Sequence, residues 1–99
     1  MATGIDLELD EEVEITYAKK YKVYLLNDDY TTMDFVVEIL MKIFHKSYDE
    51  AQRIMLQIHE QGQGLCGVYS YEIAETKVMQ VHQSAKKSGF PLKATMEEE

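Results

Sequence analysis

Between residues 21 and 35 an apolar, strand-forming run meets three acceptor-rich side chains and then a helix start, a junction that constrains the fold more than any other stretch. Tyr21, Val23, Tyr24, Leu25 and Leu26 belong to the strand candidate over residues 21–26. Asn27, Asp28 and Asp29 follow at once, and such side chains form turns by hydrogen-bonding nearby backbone. Behind them Met33, Val36, Val37, Leu40, Met41 and Phe44 keep helical spacing, with Thr31 and Asp34 placed as the start of a capping box. A strand end, a tight turn and a helix start gather two carboxylates and a carboxamide on one exposed rim. Unpaired groups of this kind are costly in a core. They are well suited to receive a cation.

The remaining chain alternates short elements without repeats. Ser47-Tyr48-Asp49-Glu50 is a cleaner capping box, opening a second helix with Ala51, Ile54, Met55 and Ile58 on one face and Gly62 and Gly64 expected at its end. A second strand is predicted from Leu65 to Tyr69 and a third helix from Tyr71 to Ser88, carrying Ile73, Ala74, Lys77, Val78 and Val81. Gly89 stops that helix, Pro91 prevents its continuation, and Leu92 to Met96 alternate as a third strand. The order β-α-α-β-α-β predicts an α/β (α+β) sandwich, a small antiparallel three-stranded sheet packed against three helices.

Ninety-nine residues with 45% hydrophobic content suit one domain with its own core. No apolar run approaches the roughly 18 residues of a membrane span, and the first residues lack the basic start and apolar stretch of a signal peptide. The single cysteine, Cys66, has no partner within the chain, which fits a reducing cytoplasm. The net charge of −8 is unevenly placed. Asp6, Glu8, Asp10, Glu11, Glu12 and Glu14 precede residue 15 without a base, and Glu97, Glu98 and Glu99 close the chain, leaving nine acids and ten bases between. The expected division is an acidic arm over residues 1–19, a domain over 20–96 and an acidic tail over 97–99. Nucleic-acid binding is not expected, because no basic stripe exists to meet phosphate.

Met55, Ile58 and His59 stand at i, i+3 and i+4 and so share a helix face. If the first two helices pack side by side, Met33, Val36, Met55 and Ile58 line one hollow, with His59 at its rim beside the acids. The same spacing also describes ordinary core, and Asp28 and Asp29 taken alone are ordinary turn formers.

The segments Asn27-Asp28-Asp29-Tyr30-Thr31-Thr32-Met33-Asp34-Phe35-Val36, Met55-Leu56-Gln57-Ile58-His59, Cys66-Gly67-Val68-Tyr69 and Ala74-Glu75-Thr76-Lys77-Val78 resemble the ClpS family, in its order and spacing, across roughly residues 20–96. The resemblance implies a non-enzymatic adaptor without metal or cofactor. Such an adaptor binds proteins by a bulky hydrophobic N-terminal residue (Leu, Phe, Tyr or Trp) and delivers them to the ClpA unfoldase for degradation by ClpP. It implies that Asn27, Asp29 and His59 surround the substrate's α-amino group and that Asp28 shapes the loop. Thr31, Met33, Val36, Met55, Ile58 and Leu92 would form the side-chain pocket, with Met33 at its entrance opposing β-branched ends. Glu72 and Lys77 on the third helix would meet the unfoldase's N-terminal domain, and a monomer is expected. Ile58 replaces a Val common in relatives, Thr32 stands where many carry Pro, and the arm is shorter than in some.

Two other readings fit the residues alone. One has Asp28, Asp29 and His59 as an acid/base or divalent-metal set, though no Ser or Cys nucleophile accompanies them. The other is an interaction domain whose acidic arm is the functional part.

Overall fold

The computed structural model describes residues 19–99. The expectations for the acidic arm concern residues that lie almost wholly outside this range. Three antiparallel strands, β1 (Lys20–Leu26), β2 (Gln63–Ser70) and β3 (Lys93–Glu98), form a sheet in the order β2-β1-β3. Three helices, α1 (Met33–Lys42), α2 (Tyr48–Gln61) and α3 (Tyr71–Ser88), complete the β-α-α-β-α-β order read from the sequence.

β1 is central and its alternation decides which face meets the helices. Val23 and Leu25 are completely buried, and Cys66, Ala94, Leu40, Ala74 and Val81 join them in a single apolar core. Burying one Leu or Val side chain of this kind contributes about 1.5–3 kcal/mol, so the sheet face is the main anchor of the fold. Phe35 at the start of α1 packs on Phe90 after α3, with ring centroids 4.8 Å apart. The chain end that carries Pro91 is thereby fastened close to α1.

Helix boundaries follow their caps. Ser47 accepts a hydrogen bond from the Glu50 N–H at 3.2 Å, as a capping box requires. Gly62 (φ 92°) and Gly89 (φ 81°) end α2 and α3 in the left-handed conformation that glycine adopts without steric cost. Gly64, expected with Gly62 at the helix end, lies instead inside β2. A Cβ there would stand 2.7 Å from Ile58 Cγ1 and 3.3 Å from Ile54, so the strand needs glycine to lie this close to α2.

Several expectations are corrected. The cap of α1 is Thr32, whose hydroxyl oxygen accepts from the Phe35 N–H at 3.1 Å. Thr31 is unavailable because its own hydroxyl donates to Asp28. The helix stops at Lys42, and His45 (φ 57°) turns the chain so that the Lys46 N–H reaches the Leu40 carbonyl at 3.0 Å. Ile39 takes the buried place, while Met41 faces outward. β3 begins after Leu92 and continues through Glu97 and Glu98, two acids assigned to the tail. Strand pairing sets Glu97 opposite Lys22, and Lys19 pairs with Glu98 at 3.3 Å.

Candidate functional site

The turn after β1 is held from two directions. The Asn27 N–H donates to the Gly62 carbonyl at 2.9 Å, joining the strand end to the C-terminal cap of α2. His59 stands in the last turn of that helix, so the left-handed glycine that ends α2 also brings His59 beside Asn27. The second tie is internal. Asp28 Oδ1 accepts from the Tyr30 N–H at 2.8 Å and the Thr31 N–H at 2.7 Å, while Oδ2 accepts the Thr31 hydroxyl at 2.7 Å. Partial burial pushes the Asp28 carboxyl up, but these three donors outweigh it and hold the group below the usual carboxylate range.

Asp28 therefore shapes the loop, and its neighbour is left for other work. Among the described residues no hydrogen bond or ion pair occupies the Asp29 carboxylate or the Asn27 carboxamide.

A cavity of about 290 Å³ opens beside this turn, lined by Asn27, Asp28, Asp29, Thr31, Met33, Val36, Met55, Ile58 and His59. Its exposed polar members are Asn27, Asp29 and His59, whereas Val36, Met55 and Ile58 are buried. Met33 is 46% exposed and lies between these two classes at the mouth. The cavity is thus an apolar hollow whose rim carries exposed acceptors that no described residue occupies. Nine of the ten residues expected around one pocket line it. The tenth, Leu92, does not. It is buried, and contributes to a shallower depression with Phe90, Pro91 and His82.

The two residues expected to form a second surface are treated differently. Glu72 is exposed in the first turn of α3. Lys77 is turned inward: its Nζ donates to the Ile43 carbonyl at 2.7 Å and lies 5.7 Å from the centre of the Tyr69 ring. It satisfies a carbonyl left open just past the end of α1, a role that spacing along α3 could not reveal.

The chemistry of the remaining groups bears on the other readings. Burial pushes the Cys66 thiol up to about 12, only partly opposed by the Leu25 backbone, so it is neutral and unreactive at ordinary pH. Among the described residues no three His, Cys, Asp or Glu side chains converge to hold a metal ion. No described helix is long and apolar enough to cross a membrane.

Residues 16–95 match the family model described as "ATP-dependent Clp protease adaptor protein ClpS". The chain belongs to the ClpS family. It is similar to the ATP-dependent Clp protease adapter protein ClpS of Wolinella succinogenes, with 54% identity covering 99% of this chain and 98% of that one. The protein of the same name from Campylobacter jejuni is 53% identical over 90% of this chain and 93% of its own. Among solved structures, Agrobacterium tumefaciens ClpS2 bound to L-phenylalaninamide superposes with a TM-score of 0.81 at 42% identity, covering 84% of this chain and all of that one. The ClpS family is one of adaptors to the Clp protease, and the α/β order derived above is that of the solved relative.

Proposed function

We propose that this protein captures other proteins by a free α-amino group and a bulky hydrophobic first side chain, and hands them to a ClpA-type unfoldase for degradation by ClpP. One observation carries the reading: acceptors at Asn27 and Asp29 that no described residue occupies, with His59 beside them, rim a hollow of about 290 Å³ floored by buried Val36, Met55 and Ile58. A protein N-terminus offers the matching pair. Its amine, with an ordinary pKa of about 7.7–8.0, is mostly an ammonium at neutral pH and carries three donors. The next group along is the side chain. Asn27 and Asp29 accept from the ammonium, His59 completes the ring directly or through water, and Asp28 holds the turn in shape.

Selectivity then follows from the floor. Seating a Leu or Phe side chain on Val36, Met55 and Ile58 gains about 1.5–3 kcal/mol over a small or polar one. Met33 at the mouth opposes branching at Cβ, while the flexible thioethers of Met33 and Met55 adapt to aromatic and aliphatic guests. The Agrobacterium relative was solved with phenylalaninamide, a ligand with this pairing of amine and aromatic side chain. Capture of this kind requires no bond making and no metal or cofactor. The face of α3 around Glu72 and Lys77 would meet the unfoldase, Glu72 by direct contact and Lys77 chiefly by holding α3 against α1. The acidic arm would serve handover, and the protein would work as a cytoplasmic monomer.

Fluorescence anisotropy with a labelled peptide beginning in Phe, against its N-acetylated copy, tests the reading. Saturable binding of the free peptide alone supports it, since acetylation removes the charge and two donors. Equal binding of both forms would overturn it. Removal of residues 1–14 is expected to spare this binding and slow degradation by the assembled protease.

A further inference from the structure

The floor of the cavity has a back. Ile58 is 2% exposed and lines the cavity on one side, while Gly64 of β2 lies against it on the other. A Cβ on residue 64 would stand 2.7 Å from Ile58 Cγ1, and 3.3 Å from both Ile54 Cγ2 and the Ile54 carbonyl oxygen. Carbon atoms rest about 3.5–4.0 Å apart, so the Ile54 contacts need a small adjustment and the Ile58 contact a large one. Gly64 has no positive φ, so its backbone conformation does not itself call for glycine.

We infer that Gly64, which does not line the cavity, is a positioning residue that sets how long a first side chain the cavity seats. The inference rests on the proposed reading of that cavity. Neither backbone is free to give way. β2 is paired with β1, with Gly64 opposite Leu25, and the Asn27 N–H donates to the Gly62 carbonyl at the end of α2. The Gly62 N–H in turn donates to the Ile58 carbonyl at 2.9 Å, fixing the backbone of that residue. The Ile58 side chain must therefore yield, and away from the cavity it meets close-packed core. Its open side is the cavity, where Val36 and Met55 complete the floor. Glycine at 64 thus lets Ile58 lie back against the strand. A methyl there pushes Ile58 forward and shortens the hollow, which costs a long aromatic guest more than a leucine.

The test uses two end-labelled peptides that differ only in beginning with Phe or Leu, each with an N-acetylated copy. They are titrated by anisotropy against the unaltered protein, Gly64→Ala, Ile58→Val and the double variant. The readout is the ratio of the Phe to the Leu Kd, because a general loosening of the domain weakens both peptides alike. Gly64→Ala is expected to raise that ratio about three- to tenfold, as overpacking of a filled site does. Ile58→Val removes one methyl from the floor, so the double variant conserves volume and should return the ratio to within about twofold of the parent. A ratio unmoved by Gly64→Ala, or moved and not restored by Ile58→Val, would overturn this inference alone. Should Gly64→Ala fail to fold, the comparison shifts to the Ile58→Val background. There the added Gly64→Ala must raise the ratio, and no rise overturns the inference. Equal binding of free and acetylated Phe peptides by the unaltered protein would overturn it together with the reading of the cavity.

Discussion

The turn over residues 27–31 and the face of α3 around Lys77 both display charged side chains that look equally available along the chain, yet folding treats them oppositely. At the turn, Asp28 takes up the local backbone donors and so leaves Asp29 with no protein partner among the described residues. On α3, Lys77 is itself drawn into the structure, capping the Ile43 carbonyl across 34 positions of sequence. A charge becomes a binding group when a neighbour has already satisfied the fold's demands, and a structural group when it satisfies them itself. Adjacent residues settled this at the turn, and a distant carbonyl settled it on α3.

The contrast can be broken experimentally. The largest effect is expected for Asp29→Ala, which should weaken binding of a Phe-initiated peptide by about 1.5–3 kcal/mol, the range for hydrogen bonds to charged groups. Its melting temperature should stay close to that of the parent. Retained affinity in an anisotropy titration would remove Asp29 from the site.

The opposite pattern is expected for Lys77→Met. Leaving the Ile43 carbonyl without its donor should cost about 1–3 kcal/mol in urea denaturation, with peptide affinity of the folded protein nearly unchanged. A stability equal to the parent's would show that the inward bond is not needed and return Lys77 to the surface.

A smaller change, about 1 kcal/mol in relative affinity, is expected from Met33→Ala, which should narrow the gap between Leu and Ile ends. An unchanged Leu-to-Ile ratio would reject Met33 as the gate.

The smallest effect is in pH dependence. Asp28 has a folded pKa below its unfolded value, so its contribution to stability is present above the unfolded pKa and is lost as pH falls through the folded one. Asp28→Asn should therefore flatten the acid limb of the stability–pH curve. An identical acid limb in the two proteins would mean that the three donors give the carboxylate no advantage.

Much of this architecture was legible because its signals are local. Ser47 with Glu50, Gly62 and Gly89 mark helix ends through bonds within a few residues, and α3 was bounded from Tyr71 to Ser88 on such marks. All nine cavity residues fall in two short segments, residues 27–36 around the start of α1 and residues 55–59 in the latter half of α2. The misplacements share a cause of the opposite kind. Thr31 and Thr32 carry the same hydroxyl, and the loop's need for Thr31 decided between them. Met41 matched the helical period, yet it is 39% exposed while Ile39 is buried. Glu97 and Glu98 looked like solvated tail until pairing with β1 made them strand.

The sequence by itself determined the family, the element order and the chemistry of the turn, because capping, turn formation and helical periodicity act over a few residues. Tertiary structure alone decided that Gly64 lets β2 approach Ile58 and that Lys77 serves Ile43. Those outcomes depend on which hydrogen-bonding and van der Waals partners arrive from distant parts of the chain, and no local pattern encodes them.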